Sequence, residues 1–141
     1  MIVEKRNEIY QNLKSYLVEN SKYSPIVLNK ALRQYDKYPL VTLEETENSF
    51  NLATTRNRKQ EVISNVFFEI NIYAVDIKTS NGTISNVIIT QELEKLIDDV
   101  MSIYFGLRRT SCRPTPNLDD TIRKITMRYE GKILENRNKL F

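Results

Sequence analysis

The sequence predicts an α+β domain with a mixed or antiparallel sheet of about four strands and two main helices packed on one face. Three segments carry this prediction. Residues 62–77 and 122–133 alternate apolar and polar side chains, whereas the apolar residues of segment 89–104 recur at helical spacing. A period of two is typical of a half-buried strand, and a period near 3.6 is typical of a helix packed against it. The 141 residues suit one such domain, residues 1–141.

The first part of the chain contains a predicted helix followed by less regular segments. Residues 3–19 form an amphipathic pattern. Its apolar stripe consists of Ile9, Leu13, Tyr16 and Leu17. Residues 20–38 contain Pro25 and have no clear period, which leaves a short helix and an irregular connection both open. Residues 39–45, PLVTLEE, favour a short strand because they are rich in Val, Leu and Thr.

Residues 46–59 predict a long loop. The segment is rich in Asn and Thr, has no hydrophobic period, and contains Arg56, Arg58 and Lys59 near its end. At about 14 residues it is longer than most connections, and loops of that length in compact domains are often functional.

Residues 62–77 form the clearest strand pattern. The even-numbered side contains Val66, Phe68, Ile70 and Ile72, which we expect to pack against the helix that follows. Because a typical strand has about 5–6 residues, this segment is expected to bend or to extend beyond the domain body as an arm. Residues 80–83 contain an Asn-Gly pair that favours a turn.

Residues 89–104 form the strongest helical pattern, with Ser85 as a predicted N-cap and Gly106 as the residue that ends the helix. Its core side chains are predicted to be Leu93, Leu96, Ile97 and Val100. Residues 107–118 contain two prolines and favour a second irregular loop, followed by the strand 122–133. Residues 135–141 are expected to be a frayed tail.

The composition argues against most catalytic and metal sites. Lys and Arg number 21 against 18 Asp and Glu, a net charge of +3 that does not require nucleic acid. The chain has no histidine, one cysteine and three glycines, so the commonest general base, an internal disulfide and a glycine-rich phosphate loop are all excluded. No apolar run is long enough for a membrane span, and charges interrupt the N-terminal segment MIVEKRNEIYQNL. We therefore expect a cytoplasmic, non-catalytic protein without cofactors.

One constellation favours an enzyme instead. Asp120 followed by Glu130 and Lys132 resembles the acidic and lysine residues of metal-dependent nucleases, in which carboxylates hold Mg²⁺ and the lysine assists the nucleophile. Alternation on an exposed strand face explains Glu130 and Lys132 without any chemistry. The nuclease is therefore kept as an alternative only.

Six basic residues form two groups in the predicted loops. The first is Arg56, Arg58 and Lys59; the second is Arg108, Arg109 and Arg113. Arginine is enriched at protein interfaces, and aromatic residues that stack on single-stranded nucleic acid are not interleaved with either group. These six residues are the predicted subunit or partner contacts.

Segments of both halves resemble tail terminator (tail completion) proteins of long-tailed bacteriophages and related phage tail-like particles. The similarity lies in KYPLVTLEE, FFEINIYAVD, ITQELEKLIDDVM and YFGLRRTSCRPTPNLDDTIRKITMRYEGKI, and its most distinctive part is PTPNLDD. It extends over residues 9–133. It implies a compact α+β fold with helices against one face of the sheet, which agrees with the reading from periodicity.

The resemblance also implies a function. Such proteins form a homohexameric ring on the last ring of tail-tube protein, end tube polymerisation and offer a surface to head-completion proteins. DNA passes through the ring without sequence-specific binding, and the protein is a virion component assembled in the host cytoplasm. Other neck or head-closure connector proteins have similar folds and are the nearest alternative.

Overall fold

A computed structural model describes residues 2–29, 37–54, 61–116 and 121–136. The helices are α1 (Ile2–Asn20) and α2 (Asn86–Asp98), and α2 continues as a π-helical segment, Asp99–Tyr104. The strands are β1 (Ile26–Leu28), β2 (Leu40–Thr54), β3 (Glu61–Ala74), β4 (Ile77–Thr79), β5 (Gly82–Ile84), β6 (Arg108–Thr115) and β7 (Arg123–Asn136). The predicted α+β class is confirmed.

The main sheet has five strands in the order β1-β2-β3-β7-β6, one more than predicted, and β4 and β5 form a separate hairpin. β1 pairs with β2 in parallel, and every other pairing is antiparallel, so the sheet is mixed. β3 lies at the centre, where Ile72 is opposite Val41 of β2 and Ile125 of β7. β2 and β7 therefore place apolar side chains directly beside those of β3.

Both helices pack on one face of this sheet, as predicted. The buried side chains of that face and of the two helices belong to one hydrophobic core. The β3 contribution is Val66, Phe68, Ile70, Ile72 and Ala74, and the α2 contribution is Ile89, Leu93 and Ile97, followed by Val100 and Met101. Leu96 is half-buried at the margin of the core. Each fully buried side chain of this size contributes about 1.5–3 kcal/mol of transfer free energy.

The ends of α2 follow the predicted chemistry, although its last turns differ. The Ser85 hydroxyl accepts a hydrogen bond from the backbone N–H of Val87 at 3.2 Å, which caps the helix. Toward its end the helix widens, and the N–H of Phe105 donates to the carbonyl of Val100 at 3.0 Å, a π-type bond. Gly106 then adopts a φ of +70°, the left-handed conformation that glycine tolerates best.

Two predicted loops are wrong over most of their length. Residues 46–54 of the first belong to β2, and residues 108–115 of the second form β6. Asn and Pro are depleted in strands, but backbone pairing with β3 and β7 stabilises both segments regardless of side chain. Pro114 is tolerated because β6 is an edge strand.

Other boundaries also shift. The segment 62–77 contains two strands, because β3 ends at Ala74 and β4 begins at Ile77. The last strand continues to Asn136 and so takes in the first two residues of the predicted tail, whereas residues 137–141 lie outside the described residues. Segment 20–38 contains the short strand β1, and its residues 30–36 likewise lie outside. In the described ranges, no helix has the length and apolar character needed to cross a membrane.

Candidate functional site

The second group of predicted contact residues lies on edge strand β6. Arg108, Arg109 and Arg113 are all exposed, and the strand as a whole is exposed or half-buried along its length. The side chain of Arg108 forms an ion pair with Glu130 of β7. An irregularity between Arg109 and Ser111 lets the strand change register against β7. The structure thus brings these three arginines together on one edge of the sheet.

The three arginines are divided between the two faces of the sheet. Arg109 contacts Asp98 of α2, with 3.8 Å between its Nη1 and the carboxylate Oδ1, so it lies on the helix-packed face. Arg113 is opposite Thr126 of β7, and the hydroxyls of Thr126 and Thr115 form a hydrogen bond of 2.8 Å on the other face. Arg108 and Arg113 belong to this other face, which we call the second face.

Asp98 fixes α2 to the sheet beside Arg109. Its Oδ1 accepts hydrogen bonds from the hydroxyl of Tyr129 at 3.0 Å and from that of Ser102 at 2.9 Å. Burial, and then the hydrogen bond to Asp98, raise the pKa of Tyr129 far above its usual range, so the phenol remains a proton donor. The Tyr129 hydrogen bond thus joins β7 to α2, and the Arg109 contact joins β6 to the same carboxylate.

Cys112 lies on β6, between Arg109 and Arg113 in the sequence, and is half-buried. Burial raises the pKa of its thiol, and the nearby carboxylate of Glu94 raises it further. A thiol with a raised pKa is a poor nucleophile, because the thiolate is the reactive form. This environment fits a packing role for Cys112.

Acidic residues occupy the opposite edge of the sheet, on β2. Glu44 and Glu45 are half-buried and are opposite Glu69 and Phe68 of β3, so Glu44 lies on the second face and Glu45 on the helix-packed face. The Oε2 atom of Glu45 is buried and has no hydrogen-bond partner in the part of the chain that the structure describes. A register shift follows directly, between Glu45 and Glu47. The sequence alone did not predict these glutamates as contacts, although the three glutamates of the run LEETE are a signal that indicates an acidic surface.

A polar network crosses the second face from β6 to β3. The Thr126 hydroxyl, which is hydrogen-bonded to Thr115 of β6, donates to Oδ1 of Asn71 at 2.7 Å, and the Asn71 amide donates to Glu69 at 3.3 Å. Glu69 also accepts from Arg128 of β7 at 3.2 Å. On β2, Thr42 is buried, and its hydroxyl oxygen has no hydrogen-bond partner among the described residues. The network therefore joins β6, β7 and β3 on this face.

Two of the three residues of the nuclease alternative are in the described part of the chain. Glu130 and Lys132 lie on β7 and line an open groove of about 350 Å³ together with Phe67, Gly131 and Arg108. The carboxylate of Glu130 is occupied by its ion pair with Arg108. Asp120 lies outside the described residues, and within them no three acidic or cysteine side chains are grouped as metal ligands would be.

A second exposed surface lies where α1 meets the π-helical segment. Ile103 is 76% exposed and Tyr104 is 68% exposed, both large apolar side chains. They line a groove of about 560 Å³ with Tyr16 and Asp99. The Tyr16 hydroxyl contacts Asp99 at 3.4 Å, which anchors α1 beside this groove. Exposed apolar residues of this size are typical of contact surfaces.

The first group of predicted contacts, Arg56, Arg58 and Lys59, lies outside the described residues, so its position relative to β6 is not assigned. No protein-family model matches the sequence, and no curated protein matches it either. The basis for a functional proposal is therefore the sequence, the sheet edges and the long strands.

Proposed function

We propose that this chain is a structural virion protein, a tail terminator of a long-tailed phage or phage tail-like particle. It forms a hexameric ring that caps the tail tube, ends tube polymerisation and provides the surface for head-completion proteins. It acts without catalysis or cofactor, in the tail or neck of a virion assembled in the host cytoplasm. DNA passes through its lumen without base-specific contacts.

The observation that carries the proposal is the long hairpin of β2 and β3. β3 has 14 residues, and it pairs with β7 along its whole length and with β2 from Tyr73 to Glu61. At about 3.4 Å per residue a strand of this length spans about 48 Å, whereas a typical strand has about 5–6 residues. A ring subunit needs long paired strands of this kind, because they give it surface for contacts with neighbours and tube.

The segments that resemble tail terminators support the same proposal. The phrase FFEINIYAVD covers the last eight residues of β3 and the two residues that follow it, and ITQELEKLIDDVM is most of α2 with the start of the π-helical segment. The remaining phrase includes β6 and most of β7. The α+β fold with both helices on one face is the architecture that the resemblance implies.

The test measures ring formation and tube capping together. Size-exclusion chromatography with light scattering is expected to give six copies, either alone or on addition of the tail-tube protein. Electron microscopy of tube protein polymerised with the chain is expected to show tubes ending in rings, and shorter than tubes grown without it. The control is Lys14→Glu on the exposed side of α1, which should behave as the wild type.

Two results would contradict the proposal. A chain that stays monomeric with tube protein present, and leaves tube growth unchanged, is not a terminator. A ring that binds head-completion proteins but not the tube would instead identify a neck or head-closure connector.

A further inference from the structure

The main sheet ends in two edges that have backbone groups available for pairing. In the part of the chain that the structure describes, β6 pairs only with β7, and β2 pairs only with β3 beyond Thr42. Unpaired edge strands bind other strands readily, and proteins either protect them or use them for assembly. Eight residues of β6 and the residues of β2 from Leu43 onward are therefore candidates for strand addition.

The strand directions allow the two edges to pair with each other between copies. Successive strands β2, β3, β7 and β6 alternate in direction, since each neighbouring pair is antiparallel. A second copy placed side by side in the same orientation would put its β2 antiparallel to β6 of the first copy. Such a contact joins two different surfaces, which is the heterologous type that closes into rings.

The charges of the two edges are complementary on each face. On the second face, β6 carries Arg108 and Arg113, and β2 carries Glu44. On the helix-packed face, β6 carries Arg109 and β2 carries Glu45. Cross-strand pairs form between residues on the same face of a sheet, so each arginine meets an acidic edge rather than another arginine.

The edge of β2 also has an acceptor without a donor. Among the described residues, the buried Oε2 of Glu45 has no hydrogen-bond donor, and an arginine of a neighbouring copy would supply one. Arg113 forms no ion pair in the described residues, and the ion pair of Arg108, whose side chain is 76% exposed, is weak enough to exchange. Pro114 has no N–H to donate, which places the pairing on residues 108–113.

We propose that β6 of one copy pairs antiparallel with the β2 edge of the next copy, between residues 108–113 and the segment that begins at Leu43. The arginines of β6 then pair with the glutamates of β2, and the sheet continues from subunit to subunit. This inference rests on the proposed ring function and identifies the contact that closes the ring. The occupant of each edge is a second copy of the same chain.

The test uses two charge-reversed variants that are complementary to each other. Variant A is Arg108→Glu with Arg113→Glu, and variant B is Glu44→Lys, at the acidic residue that β2 carries on the same face. Each alone brings like charges together at every contact, so each is expected to remain monomeric where the wild type assembles. In an equimolar mixture, β6 of A meets β2 of B, and β6 of B meets β2 of A, and both contacts are attractive. The mixture is therefore expected to restore an alternating ring with three copies of each.

The control matches the charge change of variant A at exposed positions outside β2 and β6, Lys14→Glu with Lys78→Glu, and it should assemble as the wild type does. Circular dichroism and the melting temperature confirm that A and B are folded. If A is unstable, Arg108→Gln with Arg113→Gln replaces it and is expected to weaken assembly and not abolish it.

The outcomes separate this inference from the function it rests on. A hexamer that survives both reversals, or two monomeric variants that do not assemble when mixed, overturns the β6–β2 contact and leaves the ring proposal in place. A wild type that neither assembles nor caps tube protein overturns the ring itself, and the contact with it.

Discussion

At the residue scale, Tyr129 connects the sheet to α2 through its hydrogen bond to Asp98. Tyr129→Phe keeps the ring and removes this bond, while Ser102 continues to donate to the same carboxylate. We expect the free energy of unfolding to fall by about 1.5–3 kcal/mol, the usual range for a hydrogen bond to a charged group. Urea denaturation at neutral pH measures this difference, and an unchanged midpoint would show that the bond contributes nothing.

The same variant has a predicted pH dependence. Because the pKa of Tyr129 is raised in the folded chain, the neutral phenol is favoured there, and the resulting stability is fully present below the ordinary pKa of 10.0. As the pH rises above 10 the wild type should lose this stability and Tyr129→Phe should not. The two unfolding free energies are therefore expected to converge in alkaline buffer.

Cys112 gives a second prediction at this scale. Burial and the Glu94 carboxylate raise the pKa of the thiol above its ordinary value of 9.0, so less thiolate is present at any pH below that value. Alkylation by iodoacetamide at pH 8 is expected to be slower in the folded chain than in urea. Glu94→Gln should speed alkylation of the folded chain, because it removes a negative charge, and should leave the rate in urea unchanged. Equal rates in the folded and unfolded chains would contradict the raised pKa.

At the element scale, β7 packs at Gly131 against the residue that precedes β6, Leu107. A Cβ atom at this position would collide with the side chain of Leu107, a buried residue of the core. Gly131→Ala is expected to destabilise the chain by about 1–3 kcal/mol through overpacking. In a Leu107→Ala background the same change should cost much less, since the collision is absent. A double-mutant cycle in urea measures this coupling, and additive effects would show that Leu107 moves aside freely.

The elements with a clear hydrophobic period were predictable from the sequence. α2 and β3 bury one side each, so their apolar residues repeat at 3.6 or 2 positions, and Ser85 and Gly106 mark the ends of the helical region. β6 and the outer half of β2 were not, because their stability comes from backbone pairing with strands far away in the sequence. The π-helical turn was missed because its bonding pattern leaves no distinct residue signal.

The candidate site was predictable in part. Arg108, Arg109 and Arg113 were predicted as contacts from residue type alone, and the structure places them on one exposed strand. Their division between two faces depends on the register of β6 against β7 and on the irregularity after Arg109. Neither feature has a sequence signature. The acidic residues Glu44 and Glu45 were not predicted as contacts, because the sequence does not show that β2 lies at the opposite side of the sheet, where β1 pairs with it only up to Thr42.

At the scale of the whole molecule, three long strands form the middle of the sheet. β2, β3 and β7 stay paired from Leu40, Ala74 and Arg123 to Thr54, Glu61 and Asn136. Their described core residues include Val41, Val66 and Met127. Under the proposed function, we expect the end of the β2–β3 hairpin to serve assembly and these core residues to serve folding.

This separation can be tested by shortening the hairpin. Residues 49–65 are replaced by Asn-Gly, which joins Asn48 to its partner Val66 through a two-residue turn. The variant is expected to unfold cooperatively and to keep its helical circular dichroism, because α1, α2 and the core residues named above are retained. Under the proposed function it should fail to cap tube protein, because the hairpin end that we expect to contact neighbours and tube is missing. A variant that loses its fold would show that the hairpin end is needed for folding, and one that still caps tubes would show that it has no part in assembly.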